Sequence, residues 1–134
     1  MVGALWGEHP RHPQALDWVV RARQGSVEAF IAQHALAETF AVLTGLPISP
    51  RLQPVSVRQA IEDLLGYVSV VPLAPGDYRS CINELAMNAV SGRAIYDYLH
   101  LWAAEAAGVD CIATLNAKDF LRFCHGRSIR VVPV

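Results

Sequence analysis

Gly108-Val109-Asp110-Cys111-Ile112-Ala113-Thr114-Leu115-Asn116-Ala117-Lys118-Asp119-Phe120 passes from helix to strand to helix signals within a short span. A glycine closes an apolar helical run, a short apolar segment follows, and a polar turn opens a new helix. The pattern predicts a helix ending at Gly108, a strand within Asp110–Thr114 and a short helix over Ala117–Phe123. A last strand is expected over Ile129–Val132. The same alternation recurs through the rest of the chain. His12–Arg23 has helical spacing, and Val27–Gln33 reads as a buried strand. The helix after it stops at Gly45-Leu46-Pro47. Ser56-Val57-Arg58-Gln59 has capping-box form and opens a helix to about Tyr67. Val68–Leu73 reads as a strand, and Pro75-Gly76-Asp77 starts a helix to about Ala89. Helices between short apolar strands imply a mostly parallel sheet covered on both faces, hence an α/β fold. Ligands of such folds bind beyond the carboxyl ends of the strands.

The chain has 134 residues, enough for one ordinary domain with a proper core, so residues 1–134 are read as a single domain. Its hydrophobic fraction is 53% and its charged fraction 17%, against roughly 25% charged in a typical soluble domain. That balance suits a well-buried core and a homodimer face. A formal net charge of −1 argues against a strongly basic nucleic-acid binder while leaving room for a local basic groove. No apolar run is long enough to span a bilayer, so no membrane role is expected. Cys81, Cys111 and Cys124 are widely spaced and read as reduced thiols of a cytoplasmic protein.

Two carboxylates stand out. Between Glu28 and Arg51 the only charged residue is Glu38, and between Arg93 and Glu105 the only one is Asp97. A carboxylate on a largely apolar helix is costly to desolvate unless it is paired, hydrogen-bonded or bound to a cation. Each also has a plain structural reading. Glu38 can be an exposed position on an amphipathic helix, and Asp97 a first-turn residue favoured by the helix dipole. Asn116 and Asp119 can likewise be near-capping-box residues. Thr114 can be a strand-end residue, and Arg93 a solvated turn. His9 and His12 fall in a Pro-rich loop and make a poor metal pair, and His100 reads as a core histidine.

The run Gly92-Arg93-Ala94-Ile95-Tyr96-Asp97-Tyr98-Leu99-His100, followed by Gly108-Val109-Asp110 and by Ala113-Thr114-Leu115-Asn116-Ala117-Lys118-Asp119-Phe120, resembles the C-terminal half of PIN-domain nucleases. It is most similar to the VapC-type toxins of bacterial toxin–antitoxin pairs. Ala37-Glu38-Thr39 resembles the family's second motif, and Trp6-Gly7-Glu8-His9-Pro10-Arg11-His12 its first helix and loop. The resemblance implies a three-layer α/β/α PIN-like domain and an endoribonuclease that hydrolyses RNA phosphodiesters with Mg²⁺ or Mn²⁺. It also implies a cognate antitoxin protein as partner. Hard divalent cations prefer oxygen ligands, and the water they carry becomes the nucleophile. By motif position, Glu38 and Asp97 are the second and third acidic residues and the expected metal ligands. Asn116 occupies the fourth catalytic position, where the family usually has Asp. Arg93, Thr114 and Asp119 are implied as residues that contact RNA or support the ligands.

Met1-Val2-Gly3-Ala4-Leu5-Trp6 resembles the segment immediately after the family's first motif, so the central first strand and the first acidic ligand are expected to be missing from this chain. The alternative function is a non-catalytic PIN relative that serves as an antitoxin- or RNA-binding module. An unrelated nucleotide-binding domain is disfavoured, because no Gly-rich phosphate loop follows any strand.

Overall fold

The computed structural model describes every residue except His125. The elements in chain order are α1 (Val2–Leu5), α2 (His12–Arg23), β1 (Phe30–Ala32), α3 (His34–Gly45), α4 (Pro54–Leu65), β2 (Ser69–Val71), α5 (Pro75–Met87), α6 (Ala94–Ala107), β3 (Cys111–Thr114), α7 (Ala117–Phe123) and β4 (Arg130–Pro133). The α/β class expected from the sequence is therefore present and consistent with a PIN-like fold. The strands form two two-stranded sheets, β1–β2 and β3–β4, among the described residues, where one mostly parallel sheet was expected. β3 and β4 run parallel, with Cys111 opposite Arg130 and Thr114 opposite Pro133. No helix of the described residues is long and apolar enough to cross a membrane.

The chain divides into two compact units, Met1–Val70 and Val71–Val134. In the first, Leu43 from α3 packs with Val57 and Ile61 from α4, and Val2, Leu5, Trp6 and Leu65 close around them. α4 begins at Pro54 rather than at the Ser56 capping signal. Proline at the first helical position has its φ preset and loses no hydrogen bond there, so it outcompetes the later serine. β1 is shorter than the Val27–Gln33 run suggested, and β2 shorter than Val68–Leu73. The Ser69 amide donates to the Ala29 carbonyl at 2.9 Å.

The second unit is built around Cys81 and Leu85 of α5, Tyr98, Leu99 and Leu101 of α6, and Ile129 before β4. α5 is capped at its start by the Asp77 carboxylate, which accepts the Ala74 amide at 2.7 Å. α6 ends in a Schellman turn, with the Val109 amide on the Ala104 carbonyl and Gly108 at φ 65°. That turn aims the chain into β3, whose far end delivers Thr114 to the loop before α7.

Candidate functional site

The β3–α7 junction of the second unit carries four of the residues singled out from the sequence. Thr114 is the last residue of β3, and its hydroxyl accepts the Asn116 amide at 3.0 Å, fixing the turn. Asn116 is the N-cap residue of α7, yet its side chain makes no capping bond. Its amide nitrogen instead donates to the Asp97 carboxylate at 3.2 Å and to the Asp119 carboxylate at 2.7 Å. The capping-box reading of Asn116 therefore gives way to a bridge between two acids. Asp97 stands in the first turn of α6, where the positive end of the helix dipole stabilises its charge. Arg93, the exposed N-cap residue of that helix, lies one turn before it.

This junction offers two carboxylates, an amide and a hydroxyl, all hard donors when they present oxygen. Mg²⁺ and Mn²⁺ prefer such a set, which a chelating thiol or a lone imidazole would not supply. The residues present thus fit a hard divalent cation, with Asp97 and Asp119 bringing the charge.

Glu38 belongs to the first unit. It sits in the middle of α3, half-buried, with Thr39 fully enclosed beside it at 2% exposure. His34 opens the same helix one turn earlier, and a ring nitrogen of His34 lies within 4.8 Å of a Glu38 carboxylate oxygen. His34 was not singled out in the sequence, although its i,i+4 spacing to Glu38 was the signal that could have found it. Of the other histidines, His9 Nδ1 accepts the Arg11 amide, and His12 Nδ1 lies 2.9 Å from the Gly3 carbonyl oxygen. His9 serves the loop backbone, whereas His12, the first residue of α2 and not a loop residue, reaches the backbone of α1.

A second polar cluster in the second unit also escaped the sequence reading. Arg127 donates to Glu105, to Glu84 at 3.2 Å and to the Tyr98 hydroxyl at 2.9 Å. Burial first, and the Glu84 carboxylate second, push the Tyr98 phenol up to about 12 against the opposing pull of Arg127. Arg127, Glu84 and Tyr98 border a cleft of about 500 Å³ that Asn88, Arg122 and Phe123 help to line. The arrangement is a pinned ion network suited to holding α5, α6 and the segment before β4 together.

The chain matches no family profile. It is 36% identical over 105 residues to the ribonuclease VapC40 of Mycobacterium tuberculosis, covering 78% of this chain and 72% of that protein. It is 30% identical over 112 residues to the ribonuclease VapC27 of the same organism, covering 83% of this chain and 77% of that protein. Likeness at this level over most of both relatives means that the chain belongs to the VapC/PIN-type family.

Proposed function

We propose that this protein is a metal-dependent endoribonuclease, the toxin of a toxin–antitoxin pair, and that residues 1–134 act as a single PIN-like domain. The observation that carries the reading is the Asp97–Asn116–Asp119 cluster at the carboxyl end of β3, where α/β folds place their chemistry. The ribonuclease names of both relatives support it. In this reading Glu38 and Asp97 are the metal ligands, and the Asn116 amide oxygen, whose own N–H groups are engaged, accepts from a metal-bound water and so orients it. Thr114 and Asp119 hold Asn116 in place, and the exposed Arg93 meets RNA phosphate. A bound Mg²⁺ or Mn²⁺ would supply the activated water and offset the charge that develops on the phosphate. The carboxylates would hold the cation, and the Thr114–Asn116 turn keeps the amide facing Asp97.

The protein acts in the cytoplasm, a location consistent with its three unbridged thiols. Its partners are RNA, a cognate antitoxin protein and a second copy of itself. Exposed Val55, Ile82, Met87 and Leu121 supply apolar surface for such contacts.

Cleavage of labelled RNA with Mn²⁺, with Mg²⁺ and with EDTA tests the reading. Asp97→Asn and Glu38→Gln should each lower the rate at least ~100-fold, as expected when a reacting water is misplaced, while still giving a cooperative melting transition. Cleavage that survives both substitutions would sink the proposal. A folded chain that binds RNA or antitoxin tightly and never cleaves would point to the non-catalytic alternative, which the amide at position 116 favours.

A further inference from the structure

From residue 29 to residue 50 only two side chains can titrate, His34 and Glu38. Four positions apart on α3, they project from one face, one above the other. Both are half-buried, and their ligand atoms come within 4.8 Å of each other. A cation bound at about 2.0–2.2 Å to both an imidazole nitrogen and a carboxylate oxygen holds those two atoms about 3–4 Å apart, within reach of a small side-chain rotation.

We propose that His34 is a metal ligand beside Glu38, so that α3 takes a first-row transition-metal dication in preference to Mg²⁺. The proposal rests on the assignment of Glu38 as a ligand in the nuclease reading and adds a nitrogen donor to it. The chemistry follows from ligand type. Imidazole suits Zn²⁺, Ni²⁺ and Cu²⁺, whereas Mg²⁺ demands near-ideal octahedral oxygen and keeps its waters. Mn²⁺ stands at the weak end of the divalent series and Zn²⁺ far above it, so a mixed nitrogen–oxygen pair ranks Zn²⁺ over Mn²⁺ over Mg²⁺. A helix pair of this kind fills two coordination positions and leaves the others open to further protein ligands, to water or to a phosphate oxygen.

The experiment is calorimetric titration of the full chain with ZnCl₂, MnCl₂ and MgCl₂, with Mn²⁺ binding followed independently by electron paramagnetic resonance. The wild-type chain should bind Zn²⁺ at least ~10-fold more tightly than Mg²⁺. His34→Ala should lower the Zn²⁺ affinity by about 10- to 100-fold, a loss of the size seen when a metal site loses a supporting group, and leave Mg²⁺ binding nearly unchanged. His34→Asp should narrow the Zn²⁺-to-Mg²⁺ gap by returning a hard oxygen. His34→Gln supplies the same readout should the alanine variant fail to fold. A folded His34 variant with wild-type Zn²⁺ and Mn²⁺ affinity overturns the proposal. If cleavage needs Glu38 while His34 variants keep the metal ranking, the inference about His34 fails and the nuclease reading stands. If Glu38→Gln leaves both metal binding and cleavage intact, the nuclease reading fails as well.

Discussion

The Asn116 side-chain amide donates to the Asp97 carboxylate at 3.2 Å, tying the start of α7 to the first turn of α6 across 19 positions of sequence. The same nitrogen donates to Asp119 at 2.7 Å, so both of its hydrogens are engaged. Two carboxylates drawn onto one amide repel each other, and the neutral donor between them offsets that repulsion. A third carboxylate at position 116 would bring more charge to a cation but nothing to hold the acids together without one. Asparagine here trades affinity for metal against stability of the metal-free junction.

Asn116→Asp should therefore separate the two effects. In EDTA it should lower stability by about 1 kcal/mol, the scale of lost hydrogen bonds to charged groups at a largely exposed site. Millimolar Mn²⁺ should close most of that deficit, whereas Asn116→Ala should gain little from the metal. Thermal melts with EDTA and with MnCl₂ read both. An aspartate variant that melts with the wild type in EDTA would show that the amide bridge contributes nothing.

The end of α5 offers a simpler test. Ala89 adopts φ 52° in a Schellman turn in which the Val90 amide reaches the Leu85 carbonyl at 2.9 Å. A Cβ in the left-handed region costs roughly 1–2 kcal/mol, and glycine escapes it at some loss of chain entropy. Ala89→Gly should raise stability by about 0.5–1 kcal/mol, a gain of roughly 2–4 °C in melting temperature. Gly108→Ala, at the same position of the α6 turn, should lose a similar amount. Differential scanning calorimetry on both variants checks the pair, and a drop in melting temperature for Ala89→Gly would contradict the strain assigned there.

These cases show what the sequence does and does not make legible. α2 and α7 begin and end where the pattern put them, because local signals define those ends: the spacing of apolar residues, the basic last turn of α2, and the polar turn before α7. α4 starts earlier than its capping signal, because Pro54 is a stronger local determinant than Ser56. The strands are shorter than their apolar runs, since an apolar run marks burial and does not itself mark ladder pairing. Asp97 and Asn116 stood out as candidates through their motif, but the hydrogen bond between them was not legible. Local rules made Asn116 a cap, and its true partner lies 19 positions back. The Arg127 network was invisible for the same reason, since its partners lie 22, 29 and 43 positions away.

That network should matter to stability more than an ordinary surface pair. Arg127 is 23% exposed in its side chain, against 43% for Glu84 and 36% for Glu105. Isolated exposed ion pairs contribute about 0–1 kcal/mol. Arg127 adds a bond to the buried Tyr98 hydroxyl, and its guanidinium carbon lies 5.6 Å from the centre of the Tyr98 ring. Arg127→Ala should cost about 1–2 kcal/mol. Arg127→Lys should recover less than half, because a single ammonium cannot serve three directions from one planar fork. Denaturant titration at low and at high salt checks this. Equal stability of the lysine variant and the wild type would mean that charge alone accounts for the cluster.

Alkaline pH provides the last test, through groups that the folded chain keeps protonated. Cys81 is fully enclosed, and burial first, then the charges of Glu84 and Asp77, push its thiol up to about 11. An unfolded cysteine ionises near about pH 8.5. Between those two values the unfolded chain binds fewer protons than the folded one, so stability falls as pH rises. A shift of this size is equivalent to about 3 kcal/mol at most, approached only above about pH 11. Tyr98, held up to about 12, adds a second loss that begins near about pH 10. Guanidinium unfolding at about pH 8, 9.5 and 11 should therefore show a progressively lower midpoint. Cys81→Ala should start less stable, because it leaves a cavity, yet show a flatter decline between about pH 8.5 and 10. A wild-type midpoint that does not move over this range, or an alanine variant with the same slope, would show that Cys81 ionises in the folded chain as readily as in the unfolded one.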